Sequence, residues 1–215
     1  YTDDETMQYA QMVLIGKTNK EIVSVLCGKG AKAIGLSGID GNLIEAEKMT
    51  EDGNGNSLDF GFVGKMKKIN TQGVERLAND EYIPVIAPIG VGANGQSYNI
   101  NADTVAAEVA VALGASKLIM LTDVGGVLEK QSDGTDRIIP VLDENAVKEC
   151  IDGGIISGGM IPKINGCLDT VRRGVTRAHI IDGRIPHSII LEMFTQNGIG
   201  TMIIKEKKEN YEYRK

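Results

Sequence analysis

The stretch Asn101–Leu113, NADTVAAEVAVAL, followed by Gly114 and then by Lys117–Thr122, KLIMLT, decides the fold class. Its first part is rich in alanine and valine, with polar groups gathered at the start. That pattern predicts a helix entered through Asn101 and Asp103 and stopped at Gly114. Its second part is a short apolar run that ends in Thr122-Asp123 and then turns at Gly125-Gly126. This predicts a buried strand with polar groups at its carboxyl end.

Working outward, the same alternation continues in both directions. Towards the N-terminus, Ile83–Ile89 reads as a buried strand and Gln72–Asn79 as a helix. Leu43–Met49 and Phe60–Ile69 read as a β-hairpin around the polar turn Glu51–Asn56. Ala33–Leu36 reads as a short strand. Thr2-Asp3-Asp4-Glu5 opens a first helical piece with capping and acidic residues, and Lys20–Leu26 reads as a second. Towards the C-terminus, Asp143–Ile151, Met160–Arg173 and His187–Phe194 read as helices. Thr176–Ile181 and Ile199–Ile204 read as strands, and the tail from Lys205 is charged. Alternating elements of this kind predict an α/β fold with a mainly parallel sheet and flanking helices.

Composition narrows the function. The 215 residues are 42% hydrophobic and carry a net charge of -6, which argues against nucleic acid as the main partner. No apolar run approaches the length of a membrane span. Cys27, Cys150 and Cys167 are scattered, as suits reduced thiols in a cytoplasmic protein. His179 and His187 have no partners at metal-ligand spacing, so no protein-bound metal site is expected.

Two motifs are set aside. Gly16-Lys17-Thr18 ends like a phosphate-binding P-loop, but Gln11 stands where that motif needs glycine. Gly90–Gly95 fits G-x-G-x-x-G, yet Gln96–Ile100 separate it from the next helix, whereas the dinucleotide fingerprint opens its helix directly.

Three clusters remain. Asn99, Asn101, Ala102 and Asp103 sit between a glycine-rich loop and a helix start, offering amides, backbone N–H groups and one carboxylate; N-capping is the plain alternative. Thr122 and Asp123 follow a buried strand, where a simple turn is the alternative. In the third, Ser157-Gly158-Gly159 precedes Met160-Ile161-Pro162-Lys163. A lysine in the first turn of a helix opposes the macrodipole, and a bound anion such as phosphate would account for it; a solvated surface lysine is the alternative. Positioning and charge neutralisation are what phosphoryl transfer requires.

The runs GLSGIDGNLI (35–44), IPVIAPIGVGANGQSYNINAD (83–103), LTDVGGV (121–127), GGMIPK (158–163) and HIIDGRIPHSIILEMFTQNGIGTMI (179–203) together resemble the acetylglutamate kinases of the amino-acid kinase family. They occur in the family's order across nearly the whole chain. The resemblance implies a three-layer αβα sandwich of the amino-acid kinase fold. It implies residues 1–115 as the remainder of a substrate-binding and dimerisation lobe, and residues 116–215 as a nucleotide-binding lobe. It implies ATP-dependent phosphorylation of the γ-carboxylate of N-acetyl-L-glutamate, a step of arginine biosynthesis, with Mg²⁺ arriving on ATP. On this basis Lys163 and Asp103 are the expected catalytic residues. Asn99, Asn101 and Ala102 are expected at the substrate, and Thr122, Asp123, Met160 and Lys163 at the nucleotide. His179, Glu192 and Gly198 match positions that hold L-arginine as feedback inhibitor, and a homodimer or higher oligomer is expected.

Family members also carry an N-terminal strand with a catalytic lysine, glycine-rich phosphate loops, a substrate-binding arginine and an oligomerising helix. None of these lies in the 215 residues, and Ile39 replaces a frequent lysine. The resulting expectation is a chain that lacks the N-terminal strands and catalyses poorly alone. Aspartokinase, glutamate 5-kinase and uridylate kinase are related readings that the NINAD and GGMIPK runs disfavour. An alternative of another class is a non-catalytic arginine-sensing or partner-binding module.

Overall fold

The computed structural model describes residues 1–52, 55–196 and 198–206. Gly53 and Asn54 of the expected hairpin turn, and the charged tail from residue 207, lie outside the described residues. The chain forms two compact units, Tyr1–Val105 and Ala106–Lys215.

In the first unit, helix α1 spans Asp4–Gln11; Asp3 caps it, its Oδ1 accepting the Thr6 N–H at 2.8 Å. The backbone then runs through a π-helical stretch, Met12–Thr18, straight into α2, Asn19–Gly28. The two helical pieces expected from the sequence are thus joined, and Gly16-Lys17-Thr18 lies inside a helix. Strand β1, Ala33–Ser37, follows. Strands β2, Ile44–Lys48, and β3, Gly64–Ile69, pair antiparallel with a register shift at Glu45/Ala46. That shift is the bend expected of a bulged hairpin. Helix α3, Gln72–Asn79, buries Val74.

The apolar run at 83–91 becomes two strands, β4, Ile83–Ala87, and β5, Ile89–Val91, with Pro88 between them. The continuous strand read from the sequence divides at Pro88, which cannot donate to a ladder, whereas Pro84 is accommodated inside β4 opposite Ile34. β4 lies parallel to β1, and Asn19 ties the pair to α2: its Nδ2 donates to Leu36 O at 3.2 Å and Val85 O at 2.7 Å. β5 turns back as β6, Ser97–Asn99, giving a sheet ordered β3-β2-β5-β6. The G-x-G-x-x-G segment is therefore a hairpin turn, closed by Gly92 N–H to Gln96 O and Gly95 N–H to Gly92 O. It does not open a helix. The division between the units falls within α4, Ala102–Ala112. Gly114, at a φ of +58°, stops that helix in the left-handed conformation that glycine adopts without steric cost.

The second unit holds β7, Lys117–Thr122, the hairpin β8, Leu128–Lys130, with β9, Asp136–Ile138, and β10, Val141–Leu142. Helix α5, Glu144–Asp152, is capped by Asp143, and α6, Met160–Arg172, follows. Then come β11, Arg177–Asp182, α7, Ser188–Phe194, and β12, Thr201–Ile203. The sheet runs β10-β12-β11-β7; β10–β12 and β11–β7 are parallel and β11–β12 antiparallel.

Register sorts its two faces. Leu118 pairs with Ala178 and Met120 with Ile180; these pack in one core with Ile164, Cys167, Leu168 and Val171 of α6 and Val147 and Cys150 of α5. The opposite face carries His179 and Ile181, and α7 lies over it with Glu192 against His179. Helix, sheet and helix thus form three layers in this unit. Each fully buried Ile or Leu side chain stabilises it by about 1.5–3 kcal/mol.

Candidate functional site

The first cluster is set by the turn from β6 into α4. Asn99 ends β6 opposite Ile89 and donates its N–H to Phe62 O at 2.8 Å. Asn101 acts as the cap of α4: its Oδ1 accepts the Thr104 N–H at 3.1 Å and the Thr104 hydroxyl at 3.3 Å. Ala102 is exposed and Asp103, half-buried, lies in the helix's first turn. The amides and carboxylate expected to act together are thus adjacent, with the oxygen of Asn101 already committed to capping.

The second cluster lies at the carboxyl end of β7 in the other unit. The Thr122 hydroxyl donates to Val124 O at 2.7 Å and accepts the Val124 N–H at 3.1 Å, so it closes the turn. Asp123 is exposed. Gly126 holds a φ of +134°, and a β-carbon there would lie 2.5 Å from Thr201 Oγ1. That hydroxyl accepts the Val127 N–H and donates to Ile139 O, each at 2.8 Å, locking the glycine turn to β12.

The third cluster begins α6. Gly158 takes a φ of +55°, Gly159 stands at the N-cap without a side chain, and the first turn contains no acidic residue. Pro162 removes a donor where the helix has no partner for it. Met160 packs against the apolar core of the unit, and Lys163 is half-buried one turn in. Positive helix end and lysine cation act together on any anion placed there.

His179, Glu192 and Gly198 meet around α7. His179 Nδ1 lies 2.8 Å from Glu192 Oε1, and both side chains are buried. Glu192 Oε2 accepts the N–H groups of Ile199 at 2.7 Å and Gly200 at 3.0 Å. Gly198, at a φ of +57°, allows the chain to turn so that those two N–H groups point inward. His179 Nε2 is buried without a hydrogen-bond partner among the described residues.

One polar pair escaped the sequence reading. Asp182 ends β11 in register with Thr122, and its carboxylate accepts Arg184 Nε at 2.9 Å, Nη2 at 2.8 Å and the Arg184 backbone N–H at 2.8 Å. The hydrogen bonds from Arg184 hold the Asp182 carboxyl down to about 2. The signal available was the run IID-GR, two charges directly after an apolar strand.

A layered α/β sheet with glycine turns at its strand ends, and a lysine at a glycine-led helix start, is the architecture of an α/β phosphoryl-transfer protein. The amino acid kinase family model matches residues 1–182, and the chain belongs to that family. It is 58% identical over 202 residues to the acetylglutamate kinase of Caldicellulosiruptor saccharolyticus, covering 94% of this chain and 68% of that one. It is 53% identical to the acetylglutamate kinase of Moorella thermoacetica, covering 94% and 70%. Among solved structures, N-acetylglutamate synthase of Neisseria gonorrhoeae is similar in two complexes. With coenzyme A and N-acetyl-glutamate the TM-score is 0.80 at 26% identity, covering 96% of this chain and 45% of that one. With coenzyme A and L-arginine the TM-score is 0.76 at 26% identity, covering 95% and 47%.

Proposed function

We propose that the chain transfers the γ-phosphoryl group of ATP to the γ-carboxylate of N-acetyl-L-glutamate. The observation that carries this reading is the start of α6, where Lys163 lies in a first turn without acidic residues behind Gly158-Gly159. A site of this kind stabilises the charge that builds up on the phosphoryl oxygens in the transition state. The acceptor is taken from the relatives named acetylglutamate kinase. Asn99 and the N–H groups at the start of α4 are assigned to the substrate and Asp103 to orienting cationic groups. The turn after β7, with Thr122 and Asp123, is assigned to the nucleotide, and Met160 to its apolar contact. Mg²⁺ enters with ATP.

ADP release tests the acceptor. It should rise on addition of N-acetyl-L-glutamate and not of L-aspartate, L-glutamate or uridine monophosphate. Equal stimulation by L-aspartate would overturn the assignment.

A second reading concerns regulation. The buried His179–Glu192 pair, the His179 Nε2 without a partner among the described residues and the likeness to a synthase solved with L-arginine favour L-arginine as a ligand beside Glu192, Ile199 and Gly200. Because Glu192 already accepts two backbone N–H groups, binding there requires those hydrogen bonds to open. Calorimetry should give heat with L-arginine, and none with L-lysine or with the Glu192→Gln variant.

A further inference from the structure

We infer that Arg184, oriented by Asp182, is an additional nucleotide-binding residue that contacts the polyphosphate of the bound nucleotide. The inference rests on assigning the turn after β7 to the nucleotide. Three observations in the second unit support it. β7 and β11 are parallel and in register, so Asp182 stands beside Thr122 at the same carboxyl edge of the sheet, and Gly183 N–H bonds Thr122 O at 2.8 Å. Open α/β sheets place ligands at that edge.

The pair is also asymmetric in exposure. The Asp182 side chain is 13% exposed, whereas that of Arg184 is 70% exposed. Asp182 takes Nε and Nη2, which fixes the plane of the guanidinium and leaves Nη1 outside the pair on a largely exposed side chain. An ion pair with so exposed a partner adds little to stability. Its consequence is a pre-oriented fork, the geometry that matches phosphate oxygens. Finally, Asp123 follows Thr122 directly at the carboxyl end of β7, so the Asp182-Gly183-Arg184 turn leaves the same edge of the sheet as the residues assigned to the nucleotide.

The test is equilibrium titration of a fluorescent ATP analogue with Mg²⁺ against the wild-type chain and the Arg184→Ala, Arg184→Lys, Asp182→Asn and Lys163→Ala variants. Arg184→Ala should weaken binding about tenfold or more, the cost of one charge-assisted hydrogen bond. Arg184→Lys keeps the charge without the fork and should fall between. Asp182→Asn should weaken binding less than Arg184→Ala, and melting temperatures should stay near wild type throughout. If Lys163→Ala weakens binding while Arg184→Ala stays within twofold of wild type, this inference is wrong and the nucleotide assignment stands. If neither substitution matters, both fail.

Discussion

Replacing Glu192 with alanine removes the acceptor of three donors at once: Ile199 N–H at 2.7 Å, Gly200 N–H at 3.0 Å and the His179 ring at 2.8 Å. The Gly200 and His179 groups are buried, and Ile199 is half-buried. A buried polar group left without a partner costs about 1–3 kcal/mol, and breaking a buried pair from one side costs about 3–5 kcal/mol. Water entering the space recovers part of this. A loss of about 3–5 kcal/mol is therefore expected. For a chain of this length each kcal/mol corresponds to about 2–4 °C in Tm, so Glu192→Ala should melt roughly 6–20 °C lower. Glu192→Gln keeps the shape and one acceptor but turns an amide N–H₂ towards donors, and should fall between. The chain has no tryptophan, so far-UV circular dichroism is the suitable probe. A Tm for Glu192→Ala within about 2 °C of wild type would show that the carboxylate does not hold Ile199 and Gly200 in place, and would contradict the hydrogen bonds assigned to it.

Two further outcomes are expected. Gly126→Ala forces a β-carbon to within 2.5 Å of Thr201 Oγ1 at a φ of +134°. It should cost about 1–3 kcal/mol through backbone strain alone and weaken nucleotide binding, read by the same melting and titration experiments; unchanged values for both would contradict the described turn. The Asp182 carboxyl, held to about 2 in the fold, lies below the ordinary aspartate value near 3.9. Its contribution to stability is thus fully present above about pH 4 and is lost as the pH falls through about 2. Carboxyl carbon NMR should show no Asp182 transition between pH 5 and 3, and a midpoint near 3.9 would contradict the ion pair.

Much of the fold follows from short-range patterns. Gln72–Asn79 is a helix over the span that its sequence predicts, and Asp143 caps α5 as expected of an aspartate before an amphipathic run. What escaped has physical reasons. The π-helical stretch Met12–Thr18 differs from an α-helix in its hydrogen bonding, which apolar spacing does not encode. The β8–β9 hairpin is almost wholly exposed, so it has no buried face to impose an alternating pattern. Pro88 divides an apolar run whose residues on both sides are equally strand-like.

The site divides in the same way. Lys163 is legible because its position conflicts with the helix dipole. Asn101 is legible only as ambiguous, since capping and ligand binding use the same groups, and in the structure its side-chain oxygen caps the helix. His179 and Glu192 lie on different elements with no motif joining them; only the family resemblance pointed to them. Asp182 and Arg184 were visible in the sequence but lack meaning until β11 is known to lie beside β7.

The proposed action of Lys163, at the start of α6, on the phosphoryl group of ATP is open to direct measurement. ADP release driven by N-acetyl-L-glutamate, measured at saturating nucleotide for wild type and Lys163→Ala, addresses it directly. Loss of one such charge-stabilising donor should lower the rate about 10²–10³-fold, with Lys163→Arg intermediate and all Tm values unchanged. Equal rates for wild type and Lys163→Ala would contradict the assignment.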